Sequence, residues 1–205
     1  MPTPVLVEFT DDELAELTDF GRQRRQYARS IGATSYYGRE NEDDERVGIL
    51  GERAAARVVD SEWSPTIGIL SAPDMKAEVE TRARRVPGEG LDLPLMQHDK
   101  RKINWPFVLT HVIEEGHKVW VMGWIIGRDG MKRRYWRDLA RYKPHGICFV
   151  PPGDLLDISL LRARLHPNEV AARPSQRPAR AAYYANPGDA TWRAAWEEAK
   201  ALGKV

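Results

Sequence analysis

Between Pro65 and Pro151 the chain is cut into short apolar or alternating stretches by Pro, Gly and charged turns, and this texture narrows the possible folds more than any other feature. TIGIL (Thr66–Leu70), MKAEVETRAR (Met75–Arg84), LDLPLMQ (Leu91–Gln97), PFVLTHVI (Pro106–Ile113), KVWVMGWII (Lys118–Ile126) and ICFV (Ile147–Val150) each have the length and pattern of a strand. Glu114-Glu115-Gly116 reads as a hairpin turn between two of them. Two helical stretches come first. Thr10-Asp11-Asp12-Glu13 has the form of a capping box, with Leu14, Leu17 and Phe20 following at helical spacing, which predicts a helix from Asp11 to about Ser30. A second helix is expected from near Glu45 through RVGILGERAAARVV, where Ala54-Ala55-Ala56 allows close packing on a sheet. The expected fold class is therefore α/β, with helices around a mixed, largely antiparallel central sheet.

At 205 residues the chain suits one such domain, placed at 1–165. Beyond it, four prolines (Pro167, Pro174, Pro178 and Pro187) mark 166–188 as an extended linker. Residues 189–205 are then expected to form a short helix whose Trp192, Trp196 and Ala199 face docks on this domain, a second copy or a partner protein. A single Cys excludes a disulfide framework and any multi-thiolate metal site. No apolar stretch is long enough for a membrane span, and the N-terminus turns acidic where a signal peptide is apolar, so a cytoplasmic location is expected.

The net charge of +1 conceals an asymmetry: residues 1–60 carry 13 acids against 8 bases, and residues 121–205 carry 8 acids against 15 bases. Arg128 to Lys143 holds seven of those bases, with Tyr135, Trp136 and Tyr142 among them, and is expected to be helical from about Met131. Guanidinium groups beside aromatic rings suit nucleic acid; the same run also suits a solvated helix face with its rings turned inward. Lys132, Arg133, Arg134 and Arg137 are the candidate nucleic-acid contacts.

The second constellation is acidic. If Met75–Arg84 is one strand, Glu78, Glu80 and Arg82 project from one face, with Asp74 near the start of that face. Carboxylates held together call for a cation, and hard oxygen ligands suit Mg²⁺ or Mn²⁺. A surface strand with its Glu and Arg paired in water is the alternative. His111 and His117 flank the expected turn but belong to no HExxH or CxxC pattern, and Cys148 reads as a small buried hydrophobe.

Glu52 lies in GILGER, on the helix before the acidic segment; Pro73-Asp74 is a PD pair; Glu78-Val79-Glu80 follows as acid-x-acid. On these residues the chain resembles the PD-(D/E)XK nuclease superfamily, the restriction-endonuclease-like fold. It looks in particular like small phage and bacterial members with a downstream FVL segment, a GWI-x-G strand end and a closing VP-x-x-L, matched here by PFVLTHV, GWIIG and, with one more intervening residue, FVPPGDLL. The resemblance covers about Gly48 to Leu156. It departs from the family pattern in carrying Glu80 where lysine is usual and in the short Asp74–Glu78 spacing. A second register takes Glu80-Thr81-Arg82 as acid-x-basic. The resemblance implies Mg²⁺-dependent phosphodiester hydrolysis of DNA, with Asp74, Glu78 and Glu52 around the metal and Glu80 orienting the attacking water. Arg82 or Lys76 would stabilise the developing charge. It equally implies an alternative: an inactive member of the same fold acting as a DNA- or protein-binding module.

Overall fold

The computed structural model describes residues 2–31, 42–67, 73–85, 92–96, 101–113, 117–137 and 146–167. Its elements are β1 (Val5–Glu8), α1 (Asp11–Ser30), α2 (Glu42–Val59), β2 (Glu80–Arg85), β3 (Leu93–Met96), β4 (Pro106–Ile113), β5 (Lys118–Ile126), α3 (Gly127–Gly130), β6 (Trp136–Arg137), β7 (Ile147–Val150) and α4 (Ile158–Leu165). The linker expected over 166–188, beyond Pro167, and the helix expected over 189–205 lie outside the described residues, as does the turn at Glu114–Gly116.

α1 begins where the capping box expects it. The Thr10 hydroxyl accepts the Glu13 N–H at 3.3 Å and the Thr10 N–H donates to Glu13 at 3.0 Å. Leu14, Leu17 and Gly21 face α2, and Gly21 is close enough to Ile49 that a Cβ there would lie 3.2 Å from its terminal methyl.

The strands form two sheets, where one was expected. The larger has the order β1-β5-β4-β2, antiparallel except for the parallel pair β2–β4; the smaller has the order β3-β7-β6 and is antiparallel. Alternation along the strands assigns the two faces of the larger sheet. Val108, Val112, Val119, Val121 and Trp124 pack on the helices, while Phe107, Leu109, Met122 and Ile125 pack on Leu93, Leu95, Cys148 and Val150 of the smaller sheet. The result is a mixed α/β architecture in three layers: helices, open sheet, small sheet.

Two glycines bring the layers together. A Cβ on Gly51 would sit 2.4 Å from Thr110 Oγ1 and 2.6 Å from Ala83 Cβ, so α2 rests on β2 and β4 at a distance only glycine permits. The buried Ala54, Ala55 and Ala56 continue that contact. Gly123, at φ 150°, sits at the β-bulge where the β4–β5 register shifts, and the carbonyl of Leu156 approaches the position its Cβ would occupy. Trp124 and Leu156 then exchange backbone hydrogen bonds of 3.0 and 2.8 Å, and the Trp124 indole donates to the Asp157 carbonyl. Asp157 caps α4 through the Ser159 N–H at 2.9 Å and accepts the Thr3 N–H at 3.0 Å.

The structure alters three expected elements. Thr66 and Ile67 belong to no strand, and the rest of that segment lies outside the described residues. The strand expected from Met75 begins only at Glu80: Met75 pairs back onto Val79 and the chain turns tightly between them, with Glu78 at φ 55°. The described part of the basic segment expected to be helical, Met131–Arg137, is not an α-helix. It is a 3₁₀ turn at Arg133–Tyr135 followed by the two-residue edge strand β6.

Candidate functional site

The tight turn before β2 builds the acidic cluster. Met75 and Val79 are fully buried and anchor the turn, and the segment following α2 runs alongside it: the Ser64 N–H donates to the Asp74 carbonyl at 3.1 Å and the Lys76 N–H to that of Glu62 at 3.2 Å. This pairing carries Trp63 back over α2, where its indole N–H lies 3.4 Å from Glu52 and its ring meets Phe20 of α1 edge-on at 5.5 Å. The Asp74 carboxylate accepts the Thr81 N–H at 2.6 Å, which ties it to the first residues of β2.

Glu52 and Glu80 are both buried, while Asp74 is partly exposed as a residue although its carboxyl group is largely desolvated. Glu52 accepts from Arg24 of α1 at 3.0 Å on one oxygen and from Trp63 on the other. Glu80 accepts from Arg82 at 3.2 Å on one oxygen and from Lys102 on the other. Three carboxylates thus face three cations.

The electrostatics identify Asp74 as the strained member. Desolvation and then the negative charges of Glu52 and Glu80 push its carboxyl well above the usual aspartate range, against the pull of Arg82 and the Thr81 N–H. Burial also raises Glu52, with Arg24 and Trp63 opposing. Arg24 loses hydration, but the charges of Glu52 and Glu45 and its hydrogen bond to Glu52 outweigh that and raise it. Burying like charges side by side disfavours folding, so such a cluster marks a functional-site candidate.

The arrangement sorts the residues expected from sequence. Glu52, Asp74, Glu80 and Arg82 come together. Glu78 does not share the Glu80 face by strand alternation, because it precedes β2 in the left-handed turn and is exposed. Lys76 is exposed and paired with Glu62. Arg24, Trp63 and Lys102 complete the cluster without any sequence expectation. Lys102 lies 22 positions from Glu80, and Arg24 lies 28 from Glu52. The only local hints were a lysine before a strand and an arginine on the α2-facing side of α1.

The donor set is all oxygen, the kind that Mg²⁺ and Mn²⁺ take. Both oxygens of each glutamate meet N–H donors, however, and among the described residues no three His, Cys, Asp or Glu side chains are gathered as a metal group. His111 is buried in β4, and His117 is exposed, 3.8 Å from Asp11. The Cys148 thiol is buried, which raises its pKa, and packs in the core between the sheets.

On the basic segment, Lys132, Arg133, Arg134 and Arg137 are all exposed. Lys132 pairs with Asp129 at 2.8 Å. Arg134 packs on the Tyr135 ring and bonds its hydroxyl, which in turn donates to Asp154 at 2.8 Å. Among the described residues no helix is long and apolar enough to cross a membrane. Comparison of the chain with protein-family models, curated proteins and solved structures finds no match.

Proposed function

We propose that this chain is a metal-dependent DNA nuclease of the PD-(D/E)XK type, working in the cytoplasm of a bacterial or phage-infected cell. In this reading Asp74, Glu80 and Glu52 hold Mg²⁺ or Mn²⁺, and Glu80-Thr81-Arg82 supplies the acid-x-basic step of the motif. The observation that carries it is the meeting of a helical glutamate, an aspartate at the start of a strand and a strand glutamate in one desolvated cluster, at the cost of an aspartate pushed far from its ordinary pKa. A bound cation would polarise the scissile phosphate and acidify a water.

The protein's own groups have separable tasks. The Thr81 N–H orients Asp74. Arg82 stays charged at any working pH, so it serves to stabilise negative charge on the phosphate and not as a base. Lys102 holds a proton donor beside Glu80. Arg24 and Trp63 keep Glu52 turned into the cluster. The exposed cations of the 3₁₀ turn and β6 would contact the DNA backbone.

One observation favours the second reading, a binding module without catalysis: two of the three carboxylates are already ion-paired, Glu52 with Arg24 and Glu80 with Arg82 and Lys102. Cleavage of single- and double-stranded DNA in Mg²⁺, Mn²⁺ and EDTA separates the two. The nuclease reading expects metal-dependent cutting that Asp74→Asn and Glu80→Gln abolish and Glu78→Gln retains. DNA binding without cutting by folded wild type in every metal would favour the binding module.

A further inference from the structure

We infer that Trp136, with Arg133, forms a stacking subsite for an unpaired base, so that the nucleic acid this surface takes is single-stranded DNA. The inference rests on the nucleic-acid reading above and adds the form of the strand. Among the described tryptophans only Trp136 is exposed, at 46%. It is nevertheless a fixed ring. A Cβ on Gly146 would fall 1.9 Å from Trp136 Cζ2 and 2.1 Å from Cη2, so the indole is seated on the Gly146 backbone, and Gly146 at φ 62° is free to take that conformation. A surface indole held in place on one side loses little conformational freedom when a base stacks on its exposed surface.

The flanking charges suit the same ligand. The Trp136 N–H donates to the Arg133 carbonyl across the 3₁₀ turn, and residues three apart in such a turn eclipse, so Arg133 shares the side of Trp136. Arg137 follows on the edge strand β6, and by strand alternation it projects to the opposite face, leaving Arg133 as the cation beside the ring. Lys132 and Arg134 have internal acid partners, whereas Arg133 and Arg137 form no ion pair among the described residues. An aromatic platform beside a phosphate-pairing cation matches one nucleotide step of a single strand, whose bases are open to stacking. In a duplex the bases are already stacked on each other, and only the cations would find partners.

Anisotropy titrations of labelled oligo-dT and of a labelled duplex, in EDTA so that cleavage plays no part, test the subsite on wild type, Trp136→Phe, Trp136→Leu and Trp136→Ala. Thermal melts establish that each variant is folded. Leu still covers Gly146 without an aromatic face, so it separates stacking from packing. The expected result is tighter binding of oligo-dT than of duplex by wild type, a loss of about tenfold or more for oligo-dT in the Leu and Ala variants, near-retention by Phe, and little change for duplex. Wild-type affinity for oligo-dT in the Leu variant, or equal losses for both DNAs, would overturn the subsite and leave the nucleic-acid reading standing. If wild type binds neither DNA, both fail.

Discussion

Asp74→Asn should make the metal-free protein more stable while removing its proposed activity. Asparagine keeps an oxygen for the Thr81 N–H, but that bond changes from charge-assisted to neutral, a loss of about 1 kcal/mol. Against it, the substitution removes a desolvated charge that lies near Glu52 and Glu80. Replacing such buried charge by a neutral group gains about 1–4 kcal/mol. The balance favours the variant by up to about 3 kcal/mol, which for a chain of 205 residues raises Tm by up to roughly 12 °C. The pH dependence follows from the direction of the shift. An aspartate raised in the native state binds protons more readily folded than unfolded, so its penalty is absent below the unfolded value near 3.8, grows as pH rises, and is complete above the raised native value. The Tm gap between variant and wild type should therefore be widest at neutral pH and close as pH falls towards 3.8. Calorimetric scans in EDTA across that range provide the assay. A variant that melts below wild type at pH 7, or a gap that widens on acidification, would refute the reasoning.

Three further perturbations probe the scaffold. Gly51→Ala places a methyl against Thr110 and Ala83, and the helix must lift from the sheet; thermal unfolding should show a loss of about 1–3 kcal/mol. Arg24→Met leaves Glu52 buried without its cation; Arg24 is partly exposed, so about 1–3 kcal/mol is expected, and urea titration should show Glu52→Gln restoring part of it. Thr10→Ala removes the capping hydroxyl and should cost about 1 kcal/mol by the same titration.

Elements carried by local chemistry were legible in the chain. The capping box located α1, the alanine run foretold close packing of α2, and the apolar stretches at Pro106–Ile113, Lys118–Ile126 and Ile147–Val150 are β4, β5 and β7 with the same bounds. What local pattern could not carry was missed. β1 is four residues long, and its place comes from pairing with β5 over a hundred positions away. Met75–Arg84 alternates like a strand, but burial of Met75 and Val79 in one turn prevails, and Glu78 accepts a left-handed backbone that its side chain disfavours. That turn leaves Glu78 exposed and sets Glu80, Thr81 and Arg82 at the head of β2. Arg24 and Lys102 reach the cluster through tertiary packing alone.

Mn²⁺ titration followed by electron paramagnetic resonance, on wild type, Asp74→Asn and Glu80→Gln, tests the acidic cluster most directly. Because free Mn²⁺ gives the sharp signal, each bound ion is counted by its loss. The account predicts a single bound Mn²⁺ per wild-type chain, competed by Mg²⁺, and none in either variant. A folded wild type that binds no Mn²⁺, or variants that bind it as wild type does, would contradict it.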